Sequence, residues 1–440
     1  MTIDARSHGL WQSTAPAAPA TAPLDRDIEA DVAIIGAGFT GLSAALHLAE
    51  GGARVAVLEA AEVGFGGSGR NVGLVNAGLW VMPDDVPAVL GADYGERLLR
   101  LLGEAPALVF ELIAKHAIAC EPERAGTLHC AVGDKGLAEI SARAAQWQAR
   151  GAPVRLLGAA EAAVRIGSTA YAGALLDARA GTIQPLAYVR GLARAAIAAG
   201  ARIFTRSPVS RAMRDGEAAW RLDAPGGAVR APWVVVATNA YGMASPFPQV
   251  AEELVLLPYF QFATAPLGHN LRATILPGRE GAWDTKEILS SFRLDAAGRL
   301  LFGSVGALRG TGEAVHRAWA RRAVRRIFPQ LGDVTFDTGW FGRIGMTSDS
   351  TPRFHELAPN IIGFSGYNGR GIAPGTIFGR ALARRILGQG SAEEMPLPAT
   401  APRAVSFRAV KGAYYEFGAQ AAHLADGRLR GRSEPAKRAR

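Results

Sequence analysis

One segment near the N-terminus constrains the fold of this chain more than any other. Residues 31–41 read DVAIIGAGFTG, and residues 54–59 read RVAVLE. Each contains the unbroken apolar run that is typical of a parallel strand covered on both faces. A glycine-rich turn and a nearly uncharged stretch of helical length stand between the runs. The order strand, glycine turn, helix, strand and acid predicts a βαβ unit that binds a dinucleotide.

The glycines and the acid of this unit have distinct expected tasks. Gly36 permits the tight turn, Gly38 lets the backbone approach a pyrophosphate, and Gly41 lets the helix lie close to the strand. The N-terminus of the helix would direct free N–H groups and the positive end of its dipole at the phosphates. Glu59 stands eighteen positions after Gly41. There it would accept hydrogen bonds from the ribose hydroxyls and repel a 2′-phosphate.

An alternative interpretation is that residues 32–49 form a buried or membrane-inserted apolar segment, because they contain almost no charge. A helix that spans a membrane needs about 20 consecutive apolar residues. Thr40, Ser43, His47 and several glycines interrupt this stretch. We therefore favour dinucleotide binding and expect no integral membrane segment.

The composition is that of a globular protein with about two domains. The chain has 440 residues, of which 49% are hydrophobic and 20% are charged, so it can bury a large core. Its net charge of +9 comes mainly from scattered arginines and from a basic tail at residues 428–440. No nucleic-acid-binding motif accompanies these charges, so we expect no nucleic-acid partner.

The cysteines and histidines indicate neither a disulfide framework nor a metal site. Cys120 and Cys130 are the only cysteines, and the eight histidines lack the spacing of metal ligands. This cysteine usage fits a reducing cytoplasm. Residues 13–24 contain three prolines and therefore cannot form the apolar core of a signal peptide.

The order of the elements predicts two domains built from interleaved segments. Alternating strands at residues 252–345 indicate an antiparallel sheet, whereas α/β character precedes and follows them. The expected boundaries are 1–27 for an extended N-terminal arm, 28–90, 155–240 and 345–395 for the dinucleotide-binding domain, 91–154 and 241–344 for a substrate domain, and 396–440 for a C-terminal extension with the basic tail.

Three ordered motifs together resemble the D-amino-acid oxidase superfamily of FAD-dependent oxidoreductases, and within it the γ-glutamylputrescine oxidase group. They are residues 36–59, the loop GSGRN at 67–71 and the segment SGYNGRG at 365–371. The resemblance spans residues 25–390 and implies an α/β fold. One domain would be a Rossmann-like FAD-binding domain of the glutathione-reductase type, assembled from separated segments. The other would be an antiparallel-sheet α+β substrate domain.

The resemblance also implies which residues contact FAD. The loop from Ser68 to Gly73 would lie along the flavin, Val209 would contact the adenine side, and the turn at 369–371 would present backbone N–H groups to the pyrimidine edge. Oriented amides and a helix dipole stabilise the negative charge that develops there on reduction. The cofactor-binding candidates are Gly36, Gly38, Gly41, Glu59, Ser68, Arg70, Asn71, Val209, Gly369, Arg370, Gly371 and Ile372.

The catalytic candidates are Tyr259, Arg343 and Asn368. Tyr259 would either shape the wall of the substrate pocket or belong to the core. Arg343 would either clamp a substrate carboxylate in a bidentate manner or pair with Asp349. Arg370, among glycines at the flavin turn, is a candidate for the cofactor site or the substrate pocket.

We expect FAD to be bound noncovalently and no metal to be present. Some relatives attach the flavin through Cys or His, but this chain has no cysteine near residues 340–375 and no histidine between residues 48 and 115. The loop departs from the family pattern at one position, because related sequences usually have glycine where this chain has Val72.

The resemblance implies FAD-dependent oxidation of an amine or amino-acid-like substrate. A hydride would pass from the C–H beside nitrogen to flavin N5, and water would hydrolyse the imine, with oxygen or an electron carrier as final acceptor. Three alternatives stay open. They are an amino-acid dehydrogenase that passes electrons to a carrier rather than oxygen, a pyridine-nucleotide dehydrogenase, and a non-catalytic flavoprotein subunit.

Overall fold

A six-stranded sheet forms the centre of the dinucleotide-binding part of the chain in the computed structural model, which describes residues 7–426. All neighbouring strands are parallel except one antiparallel edge strand. The helix Phe39–Glu50 connects two neighbouring strands, as the βαβ pattern predicts. In spatial order the strands are Arg353–Ala358, Ile361–Ser365, Trp233–Val236, Val32–Ile35, Val55–Leu58 and Arg202–Phe204.

An eight-stranded sheet forms the second large layer, and its strands are antiparallel apart from one parallel pair, Gly281–Asp284 with Thr127–Ala131. It confirms the predicted antiparallel substrate domain. The strand order is Thr338–Met346, Val255–Pro266, Arg299–Val305, Ser290–Leu294, Gly281–Asp284, Thr127–Ala131, Gly173–Asp177 and Val154–Gly158. Two smaller sheets contain Ile28–Glu29, Gly227–Ala231, Ala219–Ala224 and Arg211–Asp215, and Leu74–Val75 with Gly181–Thr182.

Helices cover the two large sheets. Phe39–Glu50 packs against both Pro185–Ala198 and Ile372–Ile386. Small residues permit this close approach, since a Cβ atom on Gly379 would lie 2.6 Å from the Cβ of Ser43. The other α-helices are Leu10–Thr14, Asp85–Leu90, Ala92–Lys115, Gly133–Ala149, Ala159–Ile166, Pro248–Glu252, His269–Arg272, Gly312–Ile327 and Arg408–Ala425, and the 3₁₀ turns are Gly67–Gly69, Asn239–Tyr241 and Pro329–Leu331.

The boundary expected at residue 155 does not follow the sheets. Val154–Gly158 and Gly173–Asp177 pair with each other, and the second of them pairs with Thr127–Ala131 in the eight-stranded sheet. The strands of the eight-stranded sheet in this part of the chain therefore extend to Asp177. An apolar pattern shows that a segment is a strand but does not specify its partner, so the sequence could not place this boundary.

The expected extended arm at residues 1–27 is wrong in one part. Leu10–Thr14 forms a short helix, and the Trp11 ring is fully buried against Trp340, with ring centroids 5.5 Å apart. The arm thereby packs against the eight-stranded sheet. Of the C-terminal extension, Arg408–Ala425 is a helix, whereas the basic tail at residues 428–440 lies outside the described residues. Among residues 7–426, no helix has the length and apolar character needed to cross a membrane.

The C-terminal helix is held to the sheet by a pair of buried histidines. Nδ1 of His316 lies 2.8 Å from Nδ1 of His423, and the His423 ring stacks on Trp319. The Phe260 ring, from the strand Val255–Pro266, contacts both imidazoles. Burial is the main cause that lowers the pKa of each histidine, so both rings are neutral at pH 7.

This pair predicts a loss of stability in mild acid. Both histidines bind a proton more easily in the unfolded chain than in the folded chain. Their contribution to the free energy of unfolding is therefore complete above the ordinary pKa of 6.5, and it decreases as the pH falls towards the His316 pKa of about 4. We expect protonation of each histidine to lower the free energy of unfolding by roughly 2 kcal/mol when the pH falls from 7 to 5. Urea unfolding at both pH values measures it. The double variant His316→Gln and His423→Gln should lose most of this difference, whereas His269→Gln, at an exposed histidine, should retain it. A double variant with wild-type pH dependence would contradict the assignment.

Candidate active site

A cleft with a volume of about 560 Å³ lies where the six-stranded sheet meets the eight-stranded sheet. Its lining includes the residues that follow the parallel strands: Gly36 to Thr40, Glu59, Pro208 with Val209, and Ala237 to Asn239. Ligands of open α/β sheets bind at these carboxyl ends. The opposite wall comes from the strands of the eight-stranded sheet.

The glycine turn leaves a cradle that side chains would fill. Gly36 has φ +107°, and a Cβ atom there would lie 2.8 Å from the carbonyl oxygen of Ala237. A Cβ atom on Gly38 would lie 2.9 Å from Oγ of Ser68. This hydroxyl accepts a hydrogen bond from the Phe39 N–H at the start of the helix. The arrangement suits a phosphate group, because backbone N–H groups and the helix dipole face an open space.

Gly41 does not line the cleft, but it has the predicted packing task. A Cβ atom there would lie 2.0 Å from the Gly36 carbonyl oxygen. Any larger residue would therefore push the helix away from the turn. The other eleven cofactor candidates and all three catalytic candidates line the cleft.

Glu59 stands at the end of the second strand with its carboxylate held by the backbone. It accepts hydrogen bonds from the N–H groups of Ala37 (2.8 Å) and Ala61 (2.9 Å). Burial raises the pKa of this carboxyl group, although the two backbone donors oppose that shift. Val209 belongs to the same apolar cluster as Leu58. The placement of Glu59 and Val209 fits a ribose and an adenine ring.

The loop at residues 64–73 is stabilised from within by two of the candidates. The Asn71 amide donates to the carbonyl oxygens of Gly67 and Ser68, and its Oδ1 accepts from the Gly73 N–H. Nε of Arg70 donates to the carbonyl oxygen of Phe65 at 2.9 Å, and the guanidinium lies over the Phe65 ring. Both side chains therefore shape the wall that the cofactor would contact.

The turn before the last helix uses Asn368 as a structural residue. Asn368 has φ +52° and Gly369 φ +85°. The Asn368 amide donates to the Gly366 carbonyl oxygen, and its Oδ1 accepts from the Thr347 N–H at 2.8 Å. Because its polar atoms are engaged in the turn, the geometry supports a positioning residue and not the catalytic role expected for Asn368. The helix Ile372–Ile386 begins here without a side-chain cap, so its first N–H groups fit an acceptor atom in the cleft.

Arg370 is buried between two tryptophans that the sequence did not single out. Its guanidinium carbon lies 4.5 Å from the Trp80 ring centroid and 5.5 Å from that of Trp283. Nη1 donates to the Ala77 carbonyl oxygen at 2.8 Å, and the buried Nε has no protein partner within residues 7–426. Burial lowers the Arg370 pKa to about 9. This orphaned donor fits an electron-rich ligand atom in the cleft.

Tyr259 faces the cleft because side chains alternate along its strand. Leu257, Tyr259 and Gln261 line the cleft, whereas Phe260 packs on the helices behind the sheet. The Tyr259 hydroxyl donates to Oγ of Ser291 at 2.9 Å. Burial raises the pKa of the phenol, so it stays protonated. Of the two open interpretations, the structure supports a place in the wall of the cleft.

Arg343 lies at the cleft with an exposed side chain. The alternative that it pairs with Asp349 is excluded, since Arg353 binds that carboxylate at 2.9 Å. Within the described part of the chain, the Arg343 guanidinium forms no ion pair. Glu287 also lines the cleft, and no motif in the sequence indicated it.

The chemistry of the lining fits noncovalent binding of an organic cofactor. No cysteine or histidine lines the cleft within residues 7–426. The described residues also contain no group of three potential metal-ligating side chains. A flavin would therefore find a glycine cradle, the half-buried carboxylate of Glu59 and backbone donors, but no tethering nucleophile.

Comparisons with known proteins agree with this geometry. Residues 31–385 match the family model DAO, described as FAD dependent oxidoreductase. The chain is 34% identical to gamma-glutamylputrescine oxidoreductase of Escherichia coli over 409 residues, covering 89% of this chain and 93% of that protein. It is also 34% identical to the probable oxidoreductase OrdL of Haemophilus influenzae over 83% of this chain and 85% of the relative.

Solved structures show the same fold. Glycine oxidase from Geobacillus kaustophilus superposes with a TM-score of 0.68 at 22% identity, covering 84% of this chain and 98% of that one. L-amino acid deaminase from Proteus vulgaris gives a TM-score of 0.70 at 17% identity, covering 91% and 98%. With the family model and two relatives spanning most of the chain, this protein belongs to the DAO family of FAD-dependent oxidoreductases.

Proposed function

We propose that this protein oxidises the C–N bond of an amine or amino-acid-like substrate whose far end bears a carboxylate or amide. The observation that carries the proposal is the cleft itself, which joins a dinucleotide cradle to a wall containing Tyr259 and Arg343, whose guanidinium forms no ion pair within residues 7–426. The Escherichia coli relative is named for a γ-glutamylated amine, and the solved neighbours are named for amino acids. We extend this substrate class to the present chain.

The residues present would hold FAD in a definite order. The turn at Gly36 and Gly38 would take the pyrophosphate, Glu59 the ribose, and the N-terminus at Ile372 with Nε of Arg370 the polar edge of the flavin ring. Bound FAD supplies an acceptor for the two electrons and the hydrogen removed from the substrate carbon. The protein's task is to bind, orient and exclude water.

The lining requires no strong base for this chemistry. A neutral amine already has the lone pair that the oxidation needs, so the site must bind the deprotonated amine rather than remove a proton from carbon. Tyr259 remains a hydrogen-bond donor, because burial raises its pKa. Trp80 and Trp283 limit water near Arg370. The exposed Arg343 guanidinium matches the planar geometry of a carboxylate.

Noncovalent attachment predicts that acid precipitation releases all of the flavin. The basis is the absence of Cys and His from the described lining of the cleft. The supernatant should contain FAD in a one-to-one ratio to protein, and the washed pellet should be colourless. Flavin absorbance that stays with the denatured polypeptide would contradict this assignment.

An anaerobic screen of amines and amino acids tests the substrate class. The flavin absorbance should bleach with amines that carry a distal carboxylate, and more slowly with simple diamines. Bleaching by alcohols or hydroxy acids with amines inert would overturn the assignment. If no amine bleaches the flavin absorbance, the protein would instead be a non-catalytic subunit.

The final electron acceptor and the location follow as separate proposals. Mixing the bleached protein with air measures reoxidation: a fast return of colour indicates an oxidase, and a slow one indicates a dehydrogenase that needs a carrier.

Cys120 and Cys130 are both buried and unpaired, which supports the proposal of a reducing, cytoplasmic location.

A further inference from the structure

The helix Arg408–Ala425 leaves a row of large apolar side chains uncovered. Of the eleven large hydrophobic side chains that are exposed within residues 7–426, six lie between residues 407 and 424. Most of these follow a spacing that alternates between three and four residues, which places them along one side of the helix. This apolar stripe consists of Val410 (66% exposed), Tyr414 (74%), Phe417 (64%), Ala421 and Leu424 (51%) on the helix, together with Phe407 (79%), which directly precedes it.

The opposite side of this helix attaches it to the protein. His423 is buried against His316, and Ala419 is also buried. The Glu416 carboxylate forms an ion pair with Arg309. The side of the helix opposite the stripe therefore packs on the protein, whereas the large aromatic side chains of the stripe face solvent. Exposed apolar patches of this kind mark interaction sites on soluble proteins.

Positive charge accompanies the stripe. The helix begins with Arg408 and Lys411, and the 14 residues that follow Asp426 contain five arginines and one lysine against one glutamate. The helix Gly312–Ile327, against which the C-terminal helix packs, has five arginines, of which Arg317, Arg325 and Arg326 form ion pairs with carboxylates. An aromatic and aliphatic face on a chain segment with this excess of basic residues is complementary to an anionic interface.

The dimensions favour a lipid surface over a second copy of the chain. A helix of 18 residues is roughly 27 Å long, so its exposed side offers on the order of 300 Å². A stable interface between proteins needs about 800 Å² from each partner. We propose that the apolar stripe docks on an anionic membrane surface, with Tyr414 and Phe417 in the interface and basic residues at the lipid head groups.

Sedimentation with lipid vesicles tests the proposal on the full-length, flavin-containing protein. Vesicles of phosphatidylcholine alone are compared with vesicles that contain about 30% phosphatidylglycerol. We expect at least tenfold stronger binding to the anionic vesicles, and weaker binding when salt is raised to about 0.5 M. A protein that does not sediment with anionic vesicles at low salt would overturn the proposal.

Paired substitutions test whether the apolar side chains of the stripe contribute to lipid binding in addition to the basic residues. Tyr414→Gln with Phe417→Gln should reduce binding to anionic vesicles at least tenfold, while flavin absorbance and thermal midpoint stay at wild-type values. Val164→Gln is the matched control, because Val164 is 74% exposed on another helix, and it should bind as the wild type does. Equal binding by the double variant would overturn a role for the stripe.

Sedimentation velocity without lipid tests whether a second copy of the chain covers the stripe instead. A monomer, or an oligomer that is unchanged in the double variant, is expected. A wild-type dimer that the double variant converts to monomer would assign the stripe to a second copy and overturn docking on lipid.

Discussion

Gly38→Val is expected to give a folded protein without bound flavin. Gly38 has φ −91°, which any residue adopts, so the backbone can accept the change. The effect is steric: a Cβ atom would lie 2.9 Å from Oγ of Ser68, and the branched side chain would occupy the space proposed for the pyrophosphate. We expect FAD to bind at least about 100-fold more weakly, equivalent to ~2.7 kcal/mol.

The ratio of flavin to protein absorbance after purification measures this effect, and circular dichroism confirms that the chain is folded. Gly158→Val is the matched control. Gly158 also has an extended backbone, with φ −68°, and a Cβ atom there would meet nothing within 4 Å. The control should retain its flavin. Normal flavin content in Gly38→Val would show that the cradle does not hold the pyrophosphate.

Arg343→Lys is expected to raise KM by about 10- to 100-fold for amines with a distal carboxylate, with little change in flavin content. A lysine retains the charge but replaces a planar fork with a single ammonium group. The guanidinium is exposed at the cleft and forms no ion pair within the described chain. A substrate carboxylate would therefore not compete with a protein carboxylate for Arg343.

Steady-state kinetics with two substrates distinguish carboxylate binding from a general loss of activity. A diamine without a carboxylate should show nearly the same KM in the variant and the wild type. Arg155→Lys, at a half-exposed arginine outside the cleft that pairs with Glu161, should leave both KM values unchanged. An unchanged KM for the carboxylated amine would remove Arg343 from the substrate site.

The dinucleotide cradle could be predicted from local residue spacing alone. Gly36, Gly38, Gly41 and Glu59 lie in consecutive elements, and the spacing of a βαβ unit places them together with little freedom. The structure brings the glycine turn beside the Glu59 carboxylate, which accepts from the Ala37 N–H. Alternating strands likewise predicted an antiparallel sheet, because the side-chain period of a strand is visible without knowledge of its partner.

Contacts between side chains that are distant in the sequence became visible only in the folded chain. Trp80 and Trp283 enclose Arg370, and the Thr347 N–H donates a hydrogen bond to Asn368 within the turn before the last helix. Asp349 pairs with Arg353, and the Arg343 guanidinium at the cleft forms no ion pair within residues 7–426. Local periodicity specifies the face of each element, but long-range packing selects the neighbour on that face. The dinucleotide cradle could therefore be predicted from spacing, whereas the substrate side of the cleft required the folded chain.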